Sequence, residues 1–383
     1  MSMLVRKRQL AAKYEAAEGT AEILSAQDAG ILVNFTPKAN YDPQMYQRDL
    51  VRTTLTKIGK LAGKMAAGLE FAIELRGSGS LTGQPKWAKL IEACGYELAG
   101  LKNMQIGGIT GGPFQHGELI TGGTSNATGR VVCATHHGAS ELYFREVSGV
   151  FANTETITGS LSGAICTAAS APQTAGYEIK PVSSDTPALT LGLYEDGVRK
   201  LLKGCRGSVK FSFKIGEPAI MDFSFMGVGA GVTDLPLLSD VEYETTVPPV
   251  LLDAKMSCGG VSLNIGEMEI DTANALASKD KIDDPSGILS YLITGRDMKG
   301  SFNPEMVAVG SHDFFGKWFA ATPMELNLEF GSTEGNKFRI FAPKIVYNKV
   351  DDGNRDGIQL AQTSFDLTGS IEPGDDELSI LLL

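Results

Sequence analysis

The sequence has few of the features that carry catalysis or nucleic-acid binding. Its 383 residues include 34 Lys and Arg against 45 Asp and Glu, which gives a formal net charge of −11. Proteins that grip DNA through its phosphates need clustered cationic side chains, so this composition argues against that class. Neither a G-x-S-x-G nor an H-E-x-x-H motif occurs. We therefore expect a protein that is not an enzyme and does not grip DNA.

Residues that ligate metals are also sparse. The five cysteines are scattered without a C-x-x-C pair, so reduced thiols, as in a cytoplasm, are expected. Adjacent His136 and His137 would point to opposite faces of an extended strand, which makes joint ligation awkward. Acidic clusters lie in turn contexts without EF-hand spacing, at residues 283–284, 351–352 and 375–377. We expect no metal and no cofactor.

Long apolar runs are missing too. Nowhere do about 18 apolar residues follow one another, and the basic N-terminal stretch is not followed by the apolar core of a signal peptide. Neither export nor membrane insertion is indicated. What the chain does have is 45 Gly and 43% hydrophobic residues. This balance favours a mainly β protein with many short strands and tight turns.

One glycine-rich segment raises the question of a nucleotide site. Residues 69–95, LEFAIELRGSGSLTGQPKWAKLIEACG, read as a strand, a turn and a helix. The spacing of Gly77, Gly79 and Gly83 is one residue off the dinucleotide fingerprint. Because no alternating βαβ pattern surrounds it, a connector is the favoured interpretation. The helix predicted here has an apolar stripe at Trp87, Leu90, Ile91 and Cys94 that would pack on a sheet.

Two internal repeats organise the chain. FQHGELITGGTSNA at residues 114–127 matches FANTETITGSLSGA at residues 151–164, which indicates a duplicated Gly/Ser/Thr-rich β module. The second repeat is longer and fainter. Trp87 and Trp318, the only tryptophans, lie 231 residues apart, and Arg48-Asp49 recurs as Lys279-Asp280 at the same spacing. GKMAAG at residues 63–68 recurs as GRDMKG at residues 295–300, and the strand ending FSFMG at residues 223–227 matches FDLTG at residues 365–369.

The first copy also resembles a known family. LTLGLYEDGVRKLLKGCRG, followed by KIGEPA and FSFMG, is similar to major tail tube proteins of long, non-contractile-tailed bacteriophages. AEGTAE, QRDLVRTTL and PKWAKLIEACG nearer the N-terminus add to this resemblance. It implies a β-sandwich or split-barrel fold with a flanking helix, here in two tandem copies. We expect a first domain of residues 1–111 and 175–244, an inserted β module of residues 112–174 and a second domain of residues 245–383, joined near TVPPV at residues 246–250.

The resemblance implies a structural virion protein that assembles into stacked rings around a lumen for the genome. Rings of the family commonly hold six such folds, so two copies per chain suggest homotrimers. The implied partners are other copies of the chain and the tape measure, tail terminator and distal tail proteins, with transient passage of double-stranded DNA. Assembly would occur in the host cytoplasm and the mature protein would lie in the virion tail. The alternatives are a baseplate or hub protein, another β-rich virion protein, and a glycan-active β enzyme using an acidic pair.

Two polar segments are expected to contact other subunits or rings. Both were interpreted as long loops, at residues 41–63 and 272–285, because loops of this length usually have a function. The candidate contact residues are Arg48, Asp49, Arg52, Lys57, Lys279, Asp280, Asp283 and Asp284. The inserted module is expected on the outer surface, and the lumen wall is expected to be net negative so that DNA is repelled.

Overall fold

The computed structural model describes residue 4 and residues 6–34, 37–133, 139–370 and 374–383. The protein is built almost entirely from antiparallel strands. Up to residue 234 the elements are β1 (Arg8–Tyr14), a 3-10 helix (Ala26–Asp28), β2 (Lys38–Tyr46), β3 (Leu61–Glu74), α1 (Ala88–Glu92), β4 (Tyr96–Gln105), β5 (Leu119–Gly122), β6 (Thr128–Val131), β7 (Glu141–Ser148), β8 (Thr156–Gly159), β9 (Ile165–Thr167), β10 (Gln173–Pro181), β11 (Leu189–Glu195), β12 (Val198–Lys214) and β13 (Ile220–Asp234).

The remaining elements follow after a stretch without regular structure that contains the TVPPV segment. They are β14 (Lys255–Cys258), β15 (Val261–Ser262), β16 (Ile265–Asp271), β17 (Asn274–Asp280), β18 (Ile288–Arg296), β19 (Lys299–Pro304), α2 (Phe314–Phe319), β20 (Met324–Phe330), β21 (Phe338–Arg355), β22 (Ile358–Leu367) and β23 (Ser379–Leu382). The mainly β class and the two short helices predicted from the sequence are confirmed.

Eight strands form one continuous sheet that runs through both parts of the chain. Their order is β2-β3-β13-β12-β16-β19-β22-β21, and every neighbouring pair is antiparallel. Alternate residues along these strands are buried, as Leu69, Phe71 and Ile73 are in β3, because successive side chains point to opposite faces of a sheet. We call this element the eight-strand sheet.

A second layer of strands covers the buried face of the eight-strand sheet. β12 and β21 belong to both layers: residues 198–205 of β12 pair with β11, and residues 338–345 of β21 pair with β20. β12 shifts register with β13 between Lys203 and Arg206, and β21 shifts register with β22 between Tyr347 and Lys349; such bulges bend a strand. The buried C-terminal strand β23 pairs with both β10 and β21, so it ties the two parts of the covering layer together.

Both helices follow a strand of the eight-strand sheet, and the predicted stripe on α1 is confirmed. Trp87, Leu90, Ile91 and Cys94 are all buried in the main core. The preceding glycines serve packing between chain segments. A Cβ built on Gly77 would lie 1.8 Å from the carbonyl oxygen of Gly335, so only glycine permits this approach. The segment is thus a tight contact with the second part of the chain, in agreement with the connector interpretation.

Two hairpins of the molecule share one pairing pattern at a spacing of 231 residues. In the first hairpin, β2–β3, Lys38 lies opposite Glu70; in the second hairpin, which runs from β16 to β19, Glu269 lies opposite Ser301. Farther out, Tyr46 opposite Leu61 is matched by Ala277 opposite Leu292, in β17 and β18. Both hairpins also shift register at matching places, between Pro43 and Met45 and between Ala275 and Leu276.

This pairing corrects two details of the sequence alignment. The match of GKMAAG to GRDMKG has a spacing of 232, which would align buried Leu69 with the half-buried Ser301 on the other face. A slip of one residue exchanges the two faces of a strand, so the pairing supports 231. The strand endings shift as well. Leu69 pairs with Phe225 and Gly300 pairs with Phe365, so Phe365 takes the position of Phe225, two residues from the predicted Phe223.

The strand order continues the correspondence beyond the hairpins. In the first part of the chain the order is β1-β11-β12-β13-β3-β2, and in the second part it is β14-β20-β21-β22-β19-β16. The two six-strand series match position by position. Strands β4 to β10 stand between α1 and β11 and have no counterpart between α2 and β20.

One predicted loop is largely a strand. Residues 272–285 were expected to be an irregular polar loop, but Asn274–Asp280 forms β17, which pairs with β18. The polar, charged sequence hid this strand because both of its faces are largely exposed. Only residues 281–287 form the tip of the second hairpin. In the first hairpin the tip is longer, at residues 47–60.

The repeats at residues 114–127 and 151–164 lie in a module with its own hydrophobic cluster, which extends from Met104 to Ala168. β5 of one repeat pairs with β8 of the other. A buried glutamate of each repeat binds the backbone of the other repeat. Glu118 accepts hydrogen bonds from the backbone N–H groups of Leu161 and Ser162, and Glu155 accepts from those of Thr124 and Ser125. Burial alone would raise each pKa, but these bonds lower it for both.

We predict that replacing Glu155 by Gln destabilises the module by about 2 kcal/mol, because the amide cannot accept the same set of hydrogen bonds inside a buried site. Glu118→Gln is expected to act equally. Faster amide exchange in β5 and β8, with β3 and β13 unchanged, is the expected result. The exposed Glu146 provides the matched control, Glu146→Gln. Equal exchange in all three variants would contradict the role of the crossed glutamates.

Candidate functional site

The most informative surfaces of the molecule are the two ends of the eight-strand sheet. β2 pairs with β3 along one edge, and no described strand pairs with its other edge. At the opposite end, residues 346–355 of β21 pair with β22 alone among the described strands. An unpaired edge exposes a row of N–H and C=O groups that can accept another strand. The chain therefore has one open edge at each end of the same sheet.

Inside this sheet, the two strands that correspond to the open edges pair with each other. Residues 210–214 of β12 pair with β16, and this is where the first six-strand series meets the second. By strand order, β16 corresponds to β2, and the second part of β12 corresponds to the open part of β21. The junction between β12 and β16 is thus made within the chain. The edges that correspond to it, on β21 and β2, are left open.

The face of the sheet away from the core is polar. In the registers of the eight strands it carries carboxylates and cationic side chains, among them Glu70, Glu74, Asp222, Glu267, Glu269, Asp271, Asp351 and Asp366, and Lys38, Lys210, Lys214, Lys299 and Lys349. A shallow cavity of about 490 Å³ lies on this face beside Lys38, Glu70 and Lys210. We call this surface the polar face.

Ion pairs on the polar face cross the internal junction. Lys210 Nζ lies 2.8 Å from Glu269 Oε2, which joins β12 to β16. The hydrogen bond to Glu269 raises the pKa of Lys210. Burial raises the pKa of Asp222, which lies opposite Lys210 on β13, although Lys210 opposes this effect. Charge thus contributes directly to the contact between the two series.

Four of the predicted contact residues, Arg48, Asp49, Arg52 and Lys57, lie in the exposed tip of the first hairpin. The Arg52 guanidinium donates to the carbonyl of Thr56, 2.6 Å away, within the same tip. The tip also exposes apolar side chains, since Leu50 is 53% exposed and Val51 and Leu55 are fully exposed. Such a combination of charge and exposed apolar surface is typical of a contact site.

The other predicted residues, at the second hairpin, are engaged within the chain. Lys279 Nζ lies 2.7 Å from Glu18 Oε2, Asp280 pairs with Lys64, and Asp284 Oδ2 lies 3.1 Å from Lys203 Nζ. Asp283 is exposed and pairs with Lys281 at 3.5 Å. The second hairpin therefore packs on the first series of the same chain. Sequence reasoning did not distinguish this internal contact from an external one.

Burial and hydrogen bonding make this internal contact strong. Glu18 also accepts from Arg206 Nη1 at 2.9 Å and from Ser290 Oγ at 2.8 Å. Partial burial alone would raise the pKa of Glu18, but the bonds from Lys279, Arg206 and Ser290 lower it to about 2. The hydroxyl of Ser286 is the main cause that lowers the pKa of Asp284 to about 2.

The open edges themselves were not predicted from the sequence. The signal was present only indirectly, in the two matching hairpins, because pairing of strand edges depends on segments distant in sequence. Lys38 on β2 and Asp351 on β21 are exposed, and neither was singled out as a contact residue. Asp351 belonged to an acidic cluster that was interpreted as a solvated turn. It lies instead within β21, on the strand before the turn.

The groups considered for catalysis or metal binding have structural surroundings. His136 and His137 lie outside the described residues. All five cysteines are buried thiols. Within the described ranges, no group of three or more His, Cys, Asp or Glu side chains could hold a metal ion. None of the helices formed by those residues has the length and apolarity needed to span a membrane.

Comparison with known proteins identifies a family. A family model described as phage tail tube protein matches residues 6–369. A search of curated proteins finds no match. The matched range includes both hairpins, both open edges and the inserted module, so the surfaces described above all fall within it.

His312 generates a prediction of pH-dependent stability. It is buried, and its Nε2 lies 3.0 Å from the Tyr347 hydroxyl. Burial is the main cause that lowers its pKa to about 4, below the ordinary value of 6.5. Between pH 6.5 and 4, His312 is therefore protonated in the unfolded chain but neutral in the folded chain. Stability from this group is complete above pH 6.5 and is lost as the pH falls towards 4.

We expect His312→Gln to flatten the stability curve between pH 6.5 and 4, where the native protein should lose up to about 3 kcal/mol. Denaturant unfolding at a series of pH values measures this. His116→Gln in the inserted module is the matched control for the substitution itself. An unchanged slope in His312→Gln would show that other groups cause the loss.

Proposed function

The chain belongs to the phage tail tube protein family, and we propose that it assembles into stacked rings that form the tail tube, the conduit for genome delivery into the host. The observation that carries this proposal is the pair of open edges at opposite ends of the eight-strand sheet. A sheet with complementary ends closes into a ring when several copies pair end to end, and closure removes every edge.

We propose that the chain contains two tandem tail-tube domains, with residues 1–111 and 175–244 in the first and residues 245–383 in the second. The matching strand orders and the shared register shift of the two hairpins support this duplication. The inserted module of residues 112–174 lies within the first domain, between its two segments. β4 and β10 also have no counterpart in the second domain, so the insertion includes them. These two strands pair with each other and join the module to the covering layer.

Trimeric rings follow from the same duplication. Three chains supply six domains, the number expected from the family resemblance. Each chain contributes eight strands to the sheet, so three chains give a barrel of 24 strands. With strands about 4.8 Å apart, the backbone diameter would be about 37 Å for upright strands and about 48 Å for strands tilted by about 40°. Either width admits a DNA duplex.

The polar face is the wall that we assign to the lumen. The buried face of the eight-strand sheet is covered by the second layer. The second hairpin covers one end of the polar face, at Ala66, Met226 and Val228, so the rest of the polar face is the part available to line a channel. We propose that carboxylates such as Glu70, Asp222 and Asp366 make this face net negative. Cationic contacts would hold the DNA through counterion release, so a negative wall favours free passage.

The inserted module belongs on the outside of the tube under this assignment. It continues the covering layer through β4 and β7, on the side of the core opposite the polar face. We further propose the tape measure, tail terminator and distal tail proteins as partners in the virion, with assembly in the host cytoplasm. These partners are inferred from the family alone.

The experiment that tests the function is electron microscopy of the purified protein, and we predict tubes with three chains per ring. Deletion of residues 47–57, which removes most of the first tip, should leave a folded monomer that does not polymerise, because the exposed apolar tip would lose its contacts. Replacement of the inserted module, residues 112–174, by a short Gly-Ser linker is the control and should preserve tubes. Tubes from the tip deletion would contradict the tip's role, and rings of six chains would contradict the trimer.

A second prediction concerns the lumen wall. Replacing Glu70 and Asp366 together by Lys adds four positive charges per chain to the polar face, relative to the native protein. Assembled tubes of this variant should retain DNA at low salt and release it at high salt, whereas native tubes should not retain it. Sedimentation of tubes with labelled DNA measures retention. Glu146→Lys with Glu334→Lys, at exposed positions off the polar face, is the charge-matched control. Equal retention of DNA by both variants would contradict the assignment of the polar face to the lumen.

A further inference from the structure

We propose that Lys38 on β2 pairs with Asp351 on β21 of the next chain, and that this ion pair, opposite in sign to the one at the internal junction, makes assembly head-to-tail. The proposal rests on the proposed ring function and specifies how the ring closes. It starts from the junction between β12 and β16, where the chain already joins one matching series to the other.

The position of Asp351 follows from strand pairing. Leu69 and Gly300 occupy matching positions in the two hairpins, and they pair with Phe225 and Phe365. Three residues before each phenylalanine, Asp222 pairs with Lys210 and Gln362 pairs with Asp351. Asp351 on β21 therefore occupies the position that Lys210 occupies on β12. Both side chains lie on the polar face.

The position of Lys38 follows from the hairpins. Lys38 opposite Glu70 matches Glu269 opposite Ser301 at the common spacing of 231. At the internal junction, Glu269 is the residue whose carboxylate lies 2.8 Å from Lys210 Nζ. Lys210 corresponds to Asp351, and Glu269 corresponds to Lys38. The mapped pair is therefore again one cation and one carboxylate, but the cation now lies on the hairpin strand and the carboxylate on its partner strand.

The same mapping predicts the complete register between chains. The internal pair Lys210–Asp271 corresponds to the pair Asp351–Asn40 between chains. The internal pair Phe211–Ile270 corresponds to Asp352–Ala39. Ser212 opposite Glu269 becomes Gly353 opposite Lys38. All these positions on β2 and β21 are exposed or half-buried, and none has a strand partner on the open side in the described part of the chain.

A second surface agrees with this placement. The second hairpin covers the end of α1, where Asn274 Nδ2 donates to the carbonyl of Cys94, 2.7 Å away. The corresponding helix α2 has Phe319 76% exposed. When β2 of the next chain docks on β21, its hairpin lies near α2 just as the second hairpin lies near α1. Pro43, the residue that matches Asn274, would then lie near the end of α2.

The charge pattern selects one mode of association. Two open β2 edges could pair with each other by a twofold axis, as could two β21 edges. A twofold pair centred on Lys38 or on Asp351 would place like charges across the strands, which is destabilising. Pairing of β2 with β21 in the register of the internal junction brings Lys38 and Asp351 together, and Asp351 then exchanges its contact with Lys349 of the same chain for Lys38 of the next chain. This association is heterologous, so it propagates round a ring until it closes.

Charge exchange tests the ion pair. Lys38→Asp and Asp351→Lys should each raise the concentration needed for assembly by about tenfold or more, because each creates a like-charged pair at every junction. The double variant should assemble close to the native concentration. Within one chain the two residues lie at opposite ends of the sheet, so a folding defect in one variant would not be rescued by the other. Absence of rescue would overturn the pairing.

Cysteine crosslinking tests the register. Asn40→Cys with Asp351→Cys should form disulfides between chains on oxidation, and the covalent series should end at a closed trimer. Asn40→Cys with Lys349→Cys, two residues out of register, is the control and should crosslink far less. Equal crosslinking would refute the register. If native protein forms tubes while charge exchange and crosslinking both fail, this inference is wrong and the tube function stands; if native protein forms no tubes or rings, the proposed function fails.

Discussion

Backbone pairing between β12 and β16 is the interaction on which the rest of the structure depends. It fuses two six-strand series into one sheet, and it places the hydrophobic sides of both against a shared covering layer. Without it, residues 210–214 and β16 would be two further open edges. The chain thus makes one such junction internally and leaves the two corresponding edges open, which is the observation behind the proposed assembly.

The second hairpin shows how such a junction is reinforced. It packs on the first series through Glu18, Lys203 and Arg206, which bind residues of β17, β18 and the tip. The first hairpin has the same pairing and the same register shift, but its tip is longer and more apolar and is exposed. One hairpin is therefore a contact already made, and the other is the corresponding contact still open.

The inserted module is held by a different device. Its two repeats pair through β5 and β8, and a buried glutamate of each repeat accepts hydrogen bonds from the backbone of the other. A buried carboxylate is stable only when its oxygens accept several hydrogen bonds, so the crossed pair fixes the repeats in one arrangement. The module has its own cluster of apolar side chains and meets the rest of the chain through the strand pairs of β4 and β10.

The sequence by itself determined the mainly β class, the helix stripe at Trp87 and Leu90, and the family, because these depend on local pattern and composition. It also indicated both repeats, although the spacing of 231 needed strand pairing to separate it from 232. Only the tertiary structure decided which polar segments are free. Residues 41–63 and 272–285 looked alike as polar loops, yet the first is mostly the exposed tip at residues 47–60 and the second contains β17 packed on its own chain. The open edges of β2 and β21 were likewise beyond the sequence, since whether a strand edge is paired depends on partners that lie far along the chain.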